Sequence, residues 1–541
     1  MNHKVHHHHH HIEGRHMYSP DRRAALNSVA NMVSDNADKD LRYGGLVHDL
    51  LADSGKATPN SDAMEDAFGT WTYQELLNHS QAFSAWLDGK GVARGERIVV
   101  QLPNIRQTVA VFYGACRRGV VFVPLNPGMK PFHLRSVIAD ADPRLVIAED
   151  ETAADRLRDV TDLPVYSIDS LWADVERLRD AGAGAEAVEV SPEDLAVLIY
   201  TSGSTAAPKA VACPHQQIVF AASSINAVLG YHAEDIVFCR MSVSWDFGLY
   251  KVLISTLTGA KLVLAGGEPD IALVKSLRES GATMMPIVPS LASMLTTLIR
   301  RDPEGAPTLR MFTNSAAALP QVTIDALRSA FPGAQVVRMY GQTECKRISI
   351  MPPHLEHERP DSVGLPLPGT TIEILDEDGT LLPPGEPGEI TVTGPHVMAG
   401  YWRAPEITAR AYRRDETTGA MRLHTGDYGH LDEDGFLYFG GRRDDMFKRK
   451  GTRMSTVEIE AAALDIPGVT AAVALPPTAT RDLALCVASD LEPHDVLRSL
   501  AERLEPAKVP ATCRIVNDFP LTLNGKSERK QLARLLDGSD K

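Results

Sequence analysis

The stretch Leu195-Ala-Val-Leu-Ile-Tyr-Thr-Ser-Gly-Ser-Thr-Ala-Ala-Pro-Lys209 joins an apolar run to a hydroxyl-rich loop that ends in a lysine. The run Leu195–Tyr200 predicts a strand that is covered on both faces. Backbone N–H groups, hydroxyls and one ammonium in the loop suit a polyphosphate ligand. The Gly-Lys-Ser/Thr ending of a Walker loop is missing. For this stretch alone, a Ser/Thr loop without a ligand is an equally good interpretation.

Strand-like and helix-like segments alternate on the N-terminal side of this stretch. Short β-branched runs begin at Arg97, Gly119 and Arg144, and segments with helical apolar spacing cover Thr108–Arg117 and Pro131–Ala141. Such alternation indicates parallel α/β layers.

The pattern changes between Val363 and Gly440, where short β-like runs are separated by Asp-Gly, Pro-Pro-Gly and Glu-Asp-Gly turns. These turns predict an antiparallel or barrel-like subdomain. We therefore predict an α/β fold with a large N-terminal domain over residues 17–443, made of parallel α/β layers and a β-barrel-like subdomain. A small, mobile α+β domain over residues 444–541 would follow it.

Composition narrows the functional classes. The chain has 541 residues, with 70 acidic and 55 basic side chains and a formal net charge of −15. The first residues, Met1–His16, contain six consecutive histidines and a processing-site sequence, so we set them aside as an expression tag. The acidic balance argues against nonspecific binding to nucleic acid or to an anionic membrane, since both need a positive field. No run reaches the roughly 20 apolar residues of a membrane span, and scattered cysteines favour a cytoplasmic protein.

Five further motifs follow the hydroxyl-rich loop: Tyr340-Gly-Gln-Thr-Glu344, Gly400-Tyr-Trp-Arg-Ala-Pro-Glu-Ile-Thr408, Thr425-Gly-Asp427, Gly441-Arg-Arg-Asp444 and Asn524-Gly-Lys526. Together, and in this order, the motifs resemble the adenylate-forming superfamily of acyl-CoA synthetases, nonribosomal adenylation domains and luciferases. The resemblance covers essentially the whole chain after the tag. It implies that a carboxylate attacks the α-phosphate of ATP to give an acyl-adenylate, and that a thiol then takes the acyl group. ATP and Mg²⁺ are the implied cofactors.

The resemblance also implies roles for single residues, with a surface charge or a core aromatic as the alternative for each. Lys526 matches the catalytic lysine between the attacking carboxylate and the phosphate, a place that suits a compact ammonium. Glu344 matches the Mg²⁺ ligand, and Asp444 falls at the family's hinge. Phosphate contacts are implied for Thr201, Ser202, Gly203, Ser204, Thr205, Lys209 and Thr343, and AMP contacts for Tyr340, Ala316, Asp427 and Arg442.

The chain departs from the family pattern in three places. Ala206 and Ala210 stand where relatives usually have glycine, so we expect a stiffer phosphate loop. Residues 314–317 are Asn-Ser-Ala-Ala where many relatives carry glycines, and Arg338 replaces a common Asn or Asp. The adenine contacts are therefore less firmly implied than the phosphate contacts.

Two charged residues predict the acyl group. Asp246 lies in an otherwise apolar segment, at the place where amino-acid-activating relatives hold the substrate ammonium; a helix-capping carboxylate is the alternative. Arg347 falls where relatives have a side chain facing the pocket. With Ser315 it would hold a second carboxylate through forked hydrogen bonds, whereas a solvated surface arginine is the alternative. The other predicted lining residues are Phe312, Asn314, Met339 and Tyr250.

One ammonium site and one carboxylate site imply a substrate with one amino and two carboxyl groups, such as an aspartate-like acid. If the side-chain carboxyl reacts, the substrate is handled as a β-amino acid. The combination resembles the stand-alone β-amino-acid adenylation enzymes of macrolactam polyketide pathways, including those that activate 3-methylaspartate.

The chain ends soon after Lys526 without a fused carrier domain, so we expect the thiol to belong to a separate acyl carrier protein or to CoA. Carrier proteins are generally acidic. The densest basic cluster could dock one, although a solvated charged face is an equally good interpretation; it comprises Arg442, Arg443, Lys448, Arg449, Lys450 and Arg453. A CoA ligase for a small acid and a non-catalytic nucleotide-binding protein are the competing functions.

Overall fold

The computed structural model describes residues 40–201, 208–315, 318–442, 445–519 and 529–538. Strands and helices alternate through its first part. In chain order these elements are α1 (Val47–Ala57), β1 (Asp62–Asp66), β2 (Gly69–Thr72), α2 (Tyr73–Gly89), β3 (Arg97–Gln101), α3 (Arg106–Arg117), β4 (Val121–Pro124), α4 (Pro131–Ala141), β5 (Leu145–Ala148), α5 (Glu151–Arg158), β6 (Val165–Ser167), α6 (Ile168–Asp180), β7 (Leu195–Tyr200), β8 (Ala210–Pro214), α7 (His215–Leu229), β9 (Ile236–Cys239), α8 (Asp246–Thr258), β10 (Lys261–Leu264), α9 (Leu273–Ser280), β11 (Met284–Ile287), α10 (Pro289–Leu298), β12 (Met311–Asn314), α11 (Gln321–Ala330), β13 (Gln335–Tyr340), β14 (Ser349–Ile350) and β15 (Leu365–Pro366).

Two mainly parallel sheets organise this part. The six-stranded sheet has the order β6-β5-β3-β4-β7-β8 and is antiparallel only between β7 and β8. The nine-stranded sheet has the order β15-β14-β13-β12-β11-β9-β10-β1-β2, and its pairs are parallel from β13 to β1. All residues of β4 and β5 are buried, as expected for apolar runs covered on both faces. The predicted parallel α/β layers are confirmed.

The helices predicted from apolar spacing are present with nearly the same bounds. The predicted helix Pro131–Ala141 is α4 itself, and the helix predicted from Thr108 begins slightly earlier, at Arg106. Within the described ranges, every helix is too short or too polar to cross a lipid bilayer.

A five-stranded antiparallel sheet follows, in which β19 pairs with β17, β18 and β20. Apolar side chains such as Ile372, Ile390 and Leu423 form its core. The elements are β16 (Thr371–Leu375), β17 (Gly388–Thr393), α12 (Pro405–Ala411), β18 (Tyr412–Arg414), β19 (Met421–Leu431) and β20 (Leu437–Arg442).

The described residues after Asp444 form two small sheets with an apolar core of their own, which includes Ile459, Val496 and Leu500. The predicted hinge residue Asp444 lies outside the described residues, and the domain boundary there stays a prediction. The elements are β21 (Met446–Arg449), β22 (Thr452–Ser455), α13 (Thr456–Leu464), β23 (Val469–Leu475), β24 (Ala484–Ser489), α14 (Pro493–Ala501), β25 (Thr512–Ile515) and α15 (Arg529–Leu536).

Arg449, a member of the basic cluster, is a structural residue. Its side chain is buried and its Nε lies 3.0 Å from Asp482 Oδ1. The guanidinium also donates to the carbonyl oxygens of Ala507 and Val509, at 3.0 and 2.6 Å. The solvated-face and docking interpretations are therefore both wrong for this residue.

Arg338 holds a loop in place. Its guanidinium donates to the carbonyl oxygens of Glu358 (2.8 Å), Arg359 (2.8 Å) and Ser362 (2.7 Å). Burial lowers the pKa of Arg338 to about 10, so the group remains charged near neutral pH. Because Arg338 lies on β13, these bonds support the strand that ends at Tyr340.

We predict that Arg338→Leu destabilises the protein, because it leaves several carbonyl groups without a donor. The expected cost is about 3 kcal/mol, which a thermal scan at fixed rate would record as a lower apparent Tm. Arg301→Leu, at an exposed position, is the control and should leave the midpoint unchanged. Equal midpoints for Arg338→Leu and wild type would contradict the structural role.

Candidate active site

The predicted pocket residues gather at one edge of the nine-stranded sheet. Strands β12 and β13 are parallel neighbours, with Asn314 paired to Arg338 in the register. Asn314 and Ser315 therefore lie at the carboxyl end of β12, beside the residues that follow β13. Ligands of open α/β sheets bind at such an edge.

Asp246 is the first residue of α8 and is buried. Its Oδ2 lies 3.4 Å from the Thr343 hydroxyl and 3.9 Å from Lys346 Nζ. In the described part of the chain, no backbone N–H of α8 donates to this carboxylate, so Asp246 makes no capping hydrogen bond, although it does lie in the first turn of the helix. Gly248 lets α8 begin close to the preceding segment, because a Cβ there would lie 2.1 Å from the carbonyl oxygen of Ser242.

Arg347 is buried, at 2% exposure, which excludes the alternative of a solvated surface arginine. Its Nη1 donates to Ser315 Oγ at 2.7 Å, while its Nε has no hydrogen-bond partner among the described residues. Burial lowers the pKa of Arg347 to about 10, so it is a cation at neutral pH. Arg347 and Ser315 thus form the predicted pair, with donors left for an anion.

Lys346 is a pocket residue for which the sequence predicted no role. It is buried, and its Nζ lies 4.7 Å from the ring centroid of Tyr250. Burial lowers the pKa of Lys346 to about 7, although Asp246 acts in the opposite direction. The residue has φ 71°, a left-handed conformation that is uncommon for lysine.

Lys251 is a second cationic residue that sequence reasoning missed. It lies on α8 with 2% exposure, and its Nζ is 5.0 Å from the Phe247 ring centroid. Burial, reinforced by Lys346 and Arg347, holds its pKa well below the usual range. The same Phe247 ring lies 5.5 Å from Lys346 Nζ and 5.9 Å from Arg347 Cζ. Three basic side chains therefore lie around one aromatic ring, and Asp246 is the carboxylate near two of them, Lys346 and Arg347.

The other predicted lining residues differ in what they contact. Tyr250 is buried, and its hydroxyl has no hydrogen-bond partner among the described residues. Asn314 and Met339 are also buried. The ring of Phe312 packs against Phe331, with 5.2 Å between centroids. The role of these residues in lining the pocket stays a prediction.

The predicted nucleotide residues meet between β13, β19 and β20. Asp427 and Arg442 are paired in the register of β19 and β20, and Arg442 Nη1 lies 3.0 Å from Asp427 Oδ1. The Tyr340 hydroxyl donates to the other carboxylate oxygen, and Gln342 Nε2 approaches that oxygen at 3.4 Å. Burial raises the pKa of Asp427. This cluster presents a carboxylate and a guanidinium, the chemistry implied for a ribose and its phosphate.

Glu344 lies in a cluster of tyrosines. Its Oε2 accepts a hydrogen bond of 2.8 Å from the Tyr401 hydroxyl, and its carbonyl oxygen accepts one of 3.1 Å from Tyr412. Lys209 Nζ lies 4.7 Å from the Tyr401 ring centroid. The Thr343 hydroxyl lies 3.4 Å from Asp246 Oδ2, and its expected contact with phosphate stays a prediction.

The ends of the hydroxyl-rich loop are joined by a hydrogen bond of 3.1 Å from Thr201 N–H to the Lys209 carbonyl oxygen. Several predicted site residues lie outside the described residues, and their roles stay predictions: Ser202, Gly203, Ser204, Thr205, Ala316, Asp444 and Lys526.

Comparison with known proteins defines the class. Residues 51–402 match the model of the AMP-binding enzyme family, and the chain belongs to that family. The crystal structure of VinN is 97% identical and has a TM-score of 0.72, covering 74% of this chain and 100% of VinN. The complex of VinN with 3-methylaspartate is 89% identical over the same shares, with a TM-score of 0.66.

Curated relatives include ligases and synthetases. The L-proline–[L-prolyl-carrier protein] ligase of Streptomyces coelicolor is 30% identical over 494 residues, which are 85% of this chain and 91% of the ligase. The delta-poly-L-ornithine synthetase of Acinetobacter baumannii is 28% identical over 94% of this chain, but the match spans only 38% of that synthetase.

The pKa of Lys346 predicts a pH-dependent pocket. Below pH 7 the side chain is an ammonium and attracts a carboxylate; above pH 7 it loses the proton and this attraction. We predict that the dissociation constant of L-aspartate, measured by calorimetry, rises between pH 7 and pH 8.5 by up to about tenfold per pH unit. Lys346→Met should flatten this dependence. Parallel pH profiles for the two proteins would show that another group titrates.

Proposed function

We propose that this protein activates an aspartate-like β-amino acid, 3-methylaspartate, by ATP-dependent adenylation, and transfers it to the phosphopantetheine thiol of an acyl carrier protein. The observation that carries the proposal is the presence of a buried carboxylate, Asp246, and a buried guanidinium bonded to a hydroxyl, Arg347 and Ser315. Membership in the AMP-binding enzyme family supplies the reaction type.

The charges of the pocket match those of such a substrate. The ammonium group of the substrate would pair with Asp246 and replace the long contact between Asp246 and Lys346. One carboxylate is held by Arg347 and Ser315, with further positive charge from Lys346. The second carboxylate is then free to react. A monocarboxylic substrate would leave the buried guanidinium of Arg347 without a counter-ion, which is costly in an interior.

The first step joins a carboxylate oxygen of the substrate to the α-phosphorus of ATP, and the bond to the leaving pyrophosphate breaks. Two anions must meet, so positive charge and placement matter more than proton transfer. Lys209 and Arg442 are the described cations on the nucleotide side, and Lys526 is the proposed catalytic lysine.

The donor set fits Mg²⁺. In the described residues there is no group of three or more His, Cys, Asp or Glu side chains that could hold a metal by itself. Mg²⁺ commonly binds one or two carboxylates together with substrate phosphates, so Glu344 alone would suffice on the protein side. The ion would neutralise phosphate charge.

The relatives support this assignment. Structures of VinN are described with L-aspartate and with 3-methylaspartate, and the proline ligase is described as acting on a carrier protein. The sequence resembles the 3-methylaspartate-activating ligase of vicenistatin biosynthesis, and we propose the same role here. A cytoplasmic location, and a small domain that turns about Asp444, are part of the proposal.

The substrate assignment is tested by ATP–pyrophosphate exchange with 3-methylaspartate, L-aspartate, 3-aminobutanoate and L-leucine. We expect the dicarboxylic acids to be the best substrates. Arg347→Leu should lower kcat/KM for 3-methylaspartate about 100-fold, as expected for a charge pair that loses one partner. The rate with 3-aminobutanoate, which lacks the second carboxylate, should change little.

Arg301→Leu is the matched control, since it removes an exposed guanidinium. Faster exchange with neutral amino acids than with dicarboxylic acids would contradict the role of Arg347. Absence of exchange with any acid would instead favour the non-catalytic alternative, and loading of CoA but no carrier protein would favour a CoA ligase.

The basic cluster gives a separate prediction. The double variant Lys448→Glu/Lys450→Glu should slow transfer to an acidic carrier protein several-fold at low salt, because charge complementarity mainly sets the association rate. Pyrophosphate exchange should be unaffected. Unchanged carrier loading in the double variant would show that the basic cluster does not dock the carrier protein.

A further inference from the structure

We propose that Tyr401 is a positioning residue of the nucleotide site, which orients the Glu344 carboxylate through its hydroxyl and restrains Lys209 through its ring. The inference rests on the proposed ATP-dependent adenylation. It concerns the first part of the Gly400–Thr408 motif, for which no role was assigned above.

The backbone of Tyr401 is attached to the strand that follows the phosphate loop. The carbonyl oxygen of Gly400 accepts from Ala212 N–H at 2.8 Å, and Trp402 N–H donates to the carbonyl oxygen of Ala210 at 2.9 Å. Tyr401 therefore lies beside the first residues of β8, and this strand begins directly after Lys209.

The rest of the motif fixes this position. Tyr401 N–H donates to Thr408 Oγ1 at 2.9 Å. Gly400 has φ +101°, and a Cβ on it would lie 2.3 Å from the methyl group of Thr408. Glycine is thus required where the chain passes the threonine, and the threonine in turn anchors the tyrosine.

The side chain of Tyr401 has two charged neighbours. Its hydroxyl donates to Glu344 Oε2 at 2.8 Å, and burial, together with the charge of Glu344, raises its pKa. The hydroxyl consequently keeps its proton and remains a donor at physiological pH. Lys209 lies over the ring at 4.7 Å, a cation–π contact. One side chain thereby links the lysine of the phosphate loop to the carboxylate implied for the metal.

Tyr412 provides a matched control. It contacts Tyr401 edge to face at 5.7 Å, and its hydroxyl also bonds to Glu344, but to the backbone carbonyl oxygen. Tyr412→Phe also removes one tyrosine hydroxyl from this cluster, but it leaves the hydrogen bond from Tyr401 to the Glu344 carboxylate in place. Tyr401→Phe removes the carboxylate's donor and keeps the ring, and Tyr401→Leu removes both.

The experiment measures Mn²⁺ binding by electron paramagnetic resonance, with purified full-length protein and a non-hydrolysable ATP analogue. We expect Tyr401→Phe to raise the Mn²⁺ dissociation constant about ten- to 150-fold, the range for losing a hydrogen bond to a charged group. The analogue's own affinity without metal should stay near that of wild type. Tyr401→Leu should weaken the analogue further, because Lys209 is no longer restrained.

Pyrophosphate exchange gives the second readout. Tyr401→Phe should raise the Mg²⁺ concentration for half-maximal rate, while KM for L-aspartate remains unchanged. The proposal would be overturned if Tyr401→Phe and Tyr412→Phe had equal effects. It would also be overturned if Tyr401→Leu bound the analogue as tightly as Tyr401→Phe does. A wild-type protein that binds Mn²⁺ with the analogue but performs no exchange would overturn the proposed function instead.

Discussion

The burial of positive charge around the Phe247 ring is the constraint on which the site depends. Lys251, Lys346 and Arg347 are withdrawn from water, and Asp246 is the carboxylate that acts on Lys346 and Arg347. An interior with more cationic groups than anionic partners is costly, and the groups respond through lowered pKa values. A ligand with an excess negative charge would relieve that cost, so the proposed pocket would select for charge as well as for shape.

The same constraint separates the two halves of the site. On the acyl side the carboxylate of Asp246 is outnumbered by basic side chains, whereas on the nucleotide side Glu344 and Asp427 accept hydrogen bonds from hydroxyl and guanidinium donors. The segment after β13 contributes to both halves. Glu344 belongs to the nucleotide side, and Lys346 and Arg347, two and three residues later, belong to the acyl side. This short segment therefore brings the residues proposed to bind an anion next to those proposed to bind the nucleotide.

Much of this arrangement could be predicted from the sequence, because apolar runs and the order of motifs are visible without knowledge of the fold. Asp246 and Arg347 were recognised as charges inside apolar or motif-bearing segments. Lys346 was not, since the side chains of consecutive residues normally point apart; in the structure Lys346 has a left-handed backbone, and both Lys346 and Arg347 are buried. Lys251 could have been noticed, because a helix that is apolar all round is buried on every side. The contact between Tyr401 and Glu344 depends on chain pairing that no local pattern reveals.

The depressed pKa of Lys346 has a calorimetric consequence. A buried amine near its titration midpoint gains a proton when an anion arrives beside it, so ligand binding is linked to proton uptake from the solvent. The heat of binding then depends on the ionisation enthalpy of the buffer, and the slope of that dependence counts the protons taken up. If these residues bind a second carboxylate as proposed, its recognition would appear as a measurable change in protonation.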